Sequence, residues 1–302
     1  MMYGNRDLFR LWKLVVVAWV MVILMSQAGS ALAAANQAAE VIGDEPRASV
    51  AIQPIDKVGI ATAVKGIKET SPINNGTVEL YDKLYDNGPL VNSPGTGAGG
   101  ADESMLQDTS LGMSTYGFGH QFIIGNRIAD DFKVTDGKWT VKKIHLFAYQ
   151  TGSPINPSSI TGVYLQIWDG PPNDPASKVV WGDLTTNRLV SSSWSGIYRV
   201  KEDTSGDISR PIMLNVVNVD TDLKRGTYWL DWMTDGSLAS GPWIPPITIA
   251  GQATTGNALQ FVSGTWNDAS DSTFIQGMPF VLYGTHFSWI LMNPPITSGG
   301  VH

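Results

Sequence analysis

Two adjacent carboxylates, Asp130 and Asp131 in "NRIADDF", are the first residues whose type and spacing could do chemistry. Neighbouring residues of a strand point to opposite faces. If this stretch is a strand, one Asp turns inward and the other outward. An inward carboxylate must find donors or a cation, because an unpaired buried charge is very costly. Arg127, Arg188, Arg199 and Arg210 are the partners at hand; the planar fork of arginine matches a carboxylate. A calcium ion would meet the same need. Asp268 and Asp271 in "NDASDS" form a second oxygen-rich group, and "DGPPND" (Asp169–Asp174) a third. Such loops suit a hard cation, although neither has the spacing of an EF-hand.

The second pattern is tryptophan beside aspartate. It occurs at Trp168 and Asp169, at Trp181 and Asp183, at Asp231, Trp232 and Asp235, and at Trp266 and Asp268. Trp243 follows in "GPWIPP". Indole faces stack on the apolar C–H faces of sugars while carboxylates and amides bind the hydroxyls, which makes these residues a carbohydrate-binding set. The same residues have a plainer reading. Tryptophan covers the ends of sandwiches, and aspartate before glycine is turn chemistry.

Catalytic patterns are scarce. Glycoside hydrolysis needs two carboxylates across the sugar, yet the only Glu after Ser104 is Glu202, in the polar turn "KEDTSGD". There is no G-x-S-x-G elbow and no H-E-x-x-H motif. His120, His145 and His286 lie far apart, and a lone histidine such as His145 reads as a packed or surface residue. With no cysteine, thiol catalysis, cysteine-ligated zinc and iron–sulfur clusters are excluded.

The elements that must position these residues read as short strands separated by turns. Strands are expected at 121–124, 128–134, 139–150, 162–168, 178–181, 197–200, 212–219, 227–233, 247–249, 258–262 and 280–283. "TDGK" and "DLKRG" are among the breakers. In "GVYLQIWDG", Val163, Leu165 and Ile167 alternate with Tyr164, Gln166 and Trp168. In "GTYWLDWMTDG", Tyr228, Leu230 and Trp232 oppose Trp229, Asp231 and Met233. Two sheets would bury the aliphatic faces, leaving the tryptophan-rich faces to be covered or to meet a ligand. The fold class is therefore all-β, a jelly-roll-like antiparallel sandwich.

The chain start explains part of the composition. Arg6, Arg10 and Lys13 precede the apolar run "LVVVAWVMVILM", and "ALA" follows at Ala31–Ala33. These are the parts of a secretory signal peptide. The run is short for a membrane span of about 20 residues. The chain has 20 basic and 27 acidic residues; cleavage after Ala33 or Ala35 leaves 17 and 26, a net charge near −9. Such a chain is a poor partner for nucleic acid. The expected order is a signal peptide over 1–33, a weakly ordered leader over 34–75, a β-sandwich domain over 76–285 and a tail over 286–302.

Several phrases together, "LYDNGPLVNSPGTGAGGADES", "IADDFKV", "FAYQTGS", "ITGVYLQIWDGPPN", "VVWGD", "RPIM" and "GTYWLDWMTDGSLASGPWIPP", resemble a group of secreted bacterial all-β proteins. Some of these are attached to larger surface or exoenzyme chains. The resemblance covers roughly Leu80 to Gly284. It implies a jelly-roll-like extracellular domain and brings no activity and no catalytic residue. The reading that results is a secreted or periplasmic, non-catalytic module that binds a polysaccharide or a cell-surface component. A matrix or surface-assembly protein that self-associates, and an Asp-based hydrolase or lyase, are the alternatives.

Overall fold

The computed structural model describes Glu69–Thr70, Leu80–Gln107 and Thr109–Phe287. The expected signal peptide, most of the leader and most of the tail lie outside these residues. The strands are β1 (Glu69–Thr70), β2 (Leu80–Asp86), β3 (Asp102–Leu106), β4 (Phe118–Gly119), β5 (Arg127–Ala148), β6 (Ile160–Trp168), β7 (Val179–Asp183) and β8 (Leu189–Lys201). After these come β9 (Pro211–Gly236), β10 (Trp243–Ile244), β11 (Leu259–Val262), β12 (Thr265–Asp268), β13 (Ser270–Asp271), β14 (Phe274–Ile275) and β15 (Phe280–Phe287). Among the described residues there is no α-helix, and no helix is long and apolar enough to cross a membrane. The fold is all-β and sandwich-like, as the alternation implies.

Two long strands carry the architecture. β5 has 22 residues and β9 has 26, and they pair antiparallel along most of their length. The first half of β5 and the second half of β9 lie among β11, β12, β6 and β7. Their other halves lie among β15, β2, β8 and β3. The expected turns "TDGK" and "DLKRG" are the junction between these halves. Val134 pairs with Gly226 and then Lys138 with Lys224, so β5 carries extra residues there. Gly137 adopts a φ of 54°, which glycine takes without strain. The bulge bends the ribbon without ending it.

The bend lets both halves of one strand share one core. Ile128, Phe132 and Val134 from the first half of β5 join Trp139, Val141, Ile144 and Leu146 from the second. Val163, Leu165 and Ile167 of β6 and Leu230 and Trp232 of β9 complete it, all fully buried. Fully burying each such side chain contributes about 1.5–3 kcal/mol. Other expectations shift. The stretch at 121–124 is a single 3-10 turn, Phe122–Ile124, closed by the left-handed Gly125. Residues 247–249 form no strand. Glu69–Thr70, expected within the leader, pairs with β2. The pair β3–β8 is parallel, so the sheet is mixed.

Candidate functional site

The alternation along β5, β6 and β9 leaves an outer face opposite this core. Backbone register lines its side chains up in rows across the strands. One row is Trp266, Phe261 and Arg127. The next is Leu259, Ala129, Asp231 and Gln166. The third is Asp131, Trp229 and Trp168. Rows two residues apart along a strand are about 7 Å apart. A polar pair, Asp231 and Gln166, thus lies between two rows rich in aromatic rings. Ala129, Trp229 and Leu259 are buried together, with Trp168 and Trp266 packed half-buried against them.

The polar groups converge on one atom. Gln166 Nε2 donates to Asp231 Oδ2 at 2.9 Å, and Trp168 Nε1 donates to the same oxygen at 3.1 Å. Arg127 Nη1 stands 3.6 Å from it, with the Arg127 side chain 15% exposed and that of Asp231 fully buried. The guanidinium lies over the rings of Phe261 and Trp266, its carbon 4.4 and 4.9 Å from their centroids. No described residue accepts a hydrogen bond from that guanidinium, and its buried Nε has no partner. Asp231 Oδ1 is likewise buried without one. Burial pushes the Asp231 carboxyl up; Arg127, Gln166 and Trp168 pull it back only in part. Such unmet hydrogen-bonding capacity costs about 1–3 kcal/mol per group, so the fold holds these atoms ready at its own expense.

Apolar surface extends the face. Phe122 stacks on Tyr164, ring centroids 4.0 Å apart. Beyond it Ile123 is 80% and Ile124 67% exposed. Isoleucine is rarely that exposed.

Of the residues singled out from sequence, Trp168, Asp231 and Trp266 meet here, and Asp131 and Asp268 lie on the same face in the third and second rows. The others do not. Trp232 is fully buried in the core on the opposite face. Trp181 also turns to the core side, under Arg188, and Asp183 fastens the following turn through Thr185, Thr186 and Arg188. Those hydrogen bonds hold the Asp183 carboxyl well below the usual range. Asp169 accepts from Lys178 N and Asp235 from Gly236 N, both turn roles. Trp243 packs with Tyr149 and Leu90 in a separate cluster and bonds Ser240.

The acidic groups proposed for calcium are dispersed. No group of three or more His, Asp or Glu side chains that could hold a metal gathers among the described residues. Asp130 turns into the core and Asp131 to the outer face. Asp271 is buried and accepts from Ser114 N and Thr115 N, while Asp268 is exposed. Asp130 also finds no arginine. Asn87 Nδ2 and Met278 N donate to its Oδ2 at 2.8 and 2.7 Å, and Asp131 N donates to Oδ1 at 2.8 Å. Burial nevertheless raises its carboxyl to about 7. The four arginines serve elsewhere: Arg127 at Asp231, Arg188 at Asp183, Arg210 at Asp207, and Arg199 at Ser104, Thr248 and the Tyr116 carbonyl.

Three residues of this face carry no sequence signal that marks them as a site. Arg127 and Gln166 look like ordinary strand residues, and Phe261 comes from a strand distant in sequence. Glu103 carries no such signal either, yet it is fully buried and held by Thr96, Ser205 and Gly206 N. Burial alone would raise its carboxyl, yet those hydrogen bonds keep it below the ordinary value. His120 is fully buried and kept neutral by burial, its value falling to about 3.

No protein-family model, curated protein or solved structure matches the chain.

Proposed function

We propose that the protein is an exported, non-catalytic module that binds carbohydrate on the outer face of β12, β11, β5, β9 and β6. One observation carries this reading: Trp168, Phe261 and Trp266 surround a carboxylate, an amide and a guanidinium whose hydrogen bonds are only partly spent. Aromatic walls with a few convergent polar groups are what a sugar site needs. Hydrolysis is less well supported, because the groups within reach of Asp231 Oδ2 are Gln166, Trp168 and Arg127, none of them a second acid. The test is a screen of soluble and insoluble polysaccharides, read by co-sedimentation and tryptophan fluorescence. Binding that Trp266→Ala weakens about tenfold supports the module. Absence of binding to every glycan, with fluorescence unchanged, rejects it.

Self-association is the second reading, favoured by one feature. β7 lies at a sheet edge, and its Val179 and Val180 are 41% and 46% exposed. Open edges invite pairing with another chain. A strict monomer by light scattering at high concentration removes this reading.

A further inference from the structure

The proposed face has an asymmetry that narrows its ligand. The Arg127 guanidinium rests against Phe261 and Trp266, whose ring centroids are only 5.2 Å apart and so hold it from one side, and the polar recognition it can still offer lies along its edge. The edge of an arginine carries five N–H donors in a rigid plane. No described residue accepts from any of them; the carboxylate oxygen paired with it, Asp231 Oδ2, stands 3.6 Å from Nη1. That is too long for a hydrogen bond. The aromatic contacts have already removed much of the rotamer freedom that a free arginine loses on binding.

The neighbouring carboxylate does not use up this cation. Asp231 is fully buried, and its Oδ2 already accepts from Gln166 and Trp168. Burial also pushes the carboxyl up, towards its neutral form. Two further acidic groups lie on the face: Asp131 in the far row with Trp229 and Trp168, and Asp268, exposed, opposite Leu259 at the end of the middle row. A held guanidinium with an unspent edge is the arrangement that grips a planar or trigonal anion through two parallel hydrogen bonds.

Resting on the carbohydrate reading above, we infer that the ligand is an acidic glycan whose carboxylate or sulfate docks on the edge of Arg127 while its ring stacks among Trp168, Phe261 and Trp266. The net charge of −7 opposes such a ligand at long range. The recognition is therefore local, and affinity for the acidic glycan rises, or holds steady, as salt screens that repulsion.

The full chain is titrated with an oligouronate, a sulfated oligosaccharide and a neutral oligosaccharide of equal length, by calorimetry and tryptophan fluorescence. The expected result is at least tenfold tighter binding of the uronate or the sulfated chain than of the neutral one. Arg127→Gln lowers the acidic ligand to the neutral level, and Arg127→Lys, which keeps the charge but loses the fork, falls between. Equal binding of acidic and neutral chains, or a preference that survives Arg127→Gln, overturns the acidic reading and leaves the carbohydrate module standing. Binding of none of the three overturns the acidic reading, and the carbohydrate module falls with it only when the wider polysaccharide screen is negative as well. The wild-type comparison decides by itself should a variant fail to fold, which circular dichroism reports.

Discussion

Asp130 and Asp231 are buried carboxylates on paired neighbouring strands, on opposite faces of one sheet. Asp130 looks into the core, where Asn87, Met278 N and Asp131 N supply both its oxygens. Asp231 looks out, where three groups crowd one oxygen and none reaches the other. The core carboxylate is a fastening. It ties β5 to the end of β2 and to the segment before β15, parts of the chain far apart in sequence. The outer carboxylate leaves bonds unmade in a place where aromatic rings hold its neighbours. Burial alone does not separate these two acids; the number of satisfied lone pairs does.

Asp130→Ala tests this contrast with the largest effect. It strands the Met278 N–H and takes one of the two acceptors of the Asn87 amide, and is expected to cost about 3 kcal/mol in denaturant unfolding. Asp130→Asn should also destabilise, because its NH2 would face an N–H where an acceptor is needed. A loss below about 1 kcal/mol for Asp130→Ala would dissolve the fastening role.

The pH dependence follows next. The Asp130 carboxyl is raised to about 7 in the fold, above an unfolded value of about 3.9. A raised acid contributes stability that is fully present below the unfolded value and is lost as pH rises through the folded one. The melting temperature of the wild type should therefore fall between about pH 4 and 7 relative to the trend in Asp130→Asn. Burial raises Asp231 as well, so the variant flattens the curve without abolishing it. Parallel curves for the two proteins would contradict the assignment.

Asp231→Asn should be milder, about 1 kcal/mol or less, since the amide oxygen can still accept from Gln166 and Trp168 while a desolvated charge is removed. Its main effect should appear in glycan titrations. A stability loss equal to that of Asp130→Ala would make the two sites alike. Smallest of all, Asp268→Ala should leave the melting temperature unchanged, because the side chain is exposed, and should weaken binding of no glycan, because the side chain makes no hydrogen bond to Arg127, Gln166 or Asp231. A fall in either would return Asp268 to the site.

Much of this contrast was legible in the sequence. Alternation in "GVYLQIWDG" and "GTYWLDWMTDG" assigns each side chain to a face, and the structure keeps every one of those assignments. "ADDF" likewise implies one inward and one outward carboxylate. What misled was punctuation. "TDGK" and "DLKRG" have turn composition, yet they pair across from each other as a bulge, because two turn-like stretches held in register can bend a ribbon together. Trp181 and Asp183 misled because a tryptophan near a turn reads the same whether its indole covers the core or faces a ligand. Arg127 was named only as a partner for Asp130; alternation already sets it on the other face, with Asp131.

The sequence by itself determined the all-β class and which residues of each strand share a face. Those are properties of a period of two along the chain, and local backbone geometry enforces them. Only the tertiary structure decided that Arg127, Gln166, Asp231, Phe261 and Trp266 meet, because they come from five strands whose order and register are set by long-range pairing and by the shared core. It alone decided, too, that Asn87 and Met278 N, rather than an arginine, donate to Asp130. A carboxylate's partners are fixed by what packing brings within 3 Å or so, and no spacing along one strand encodes that.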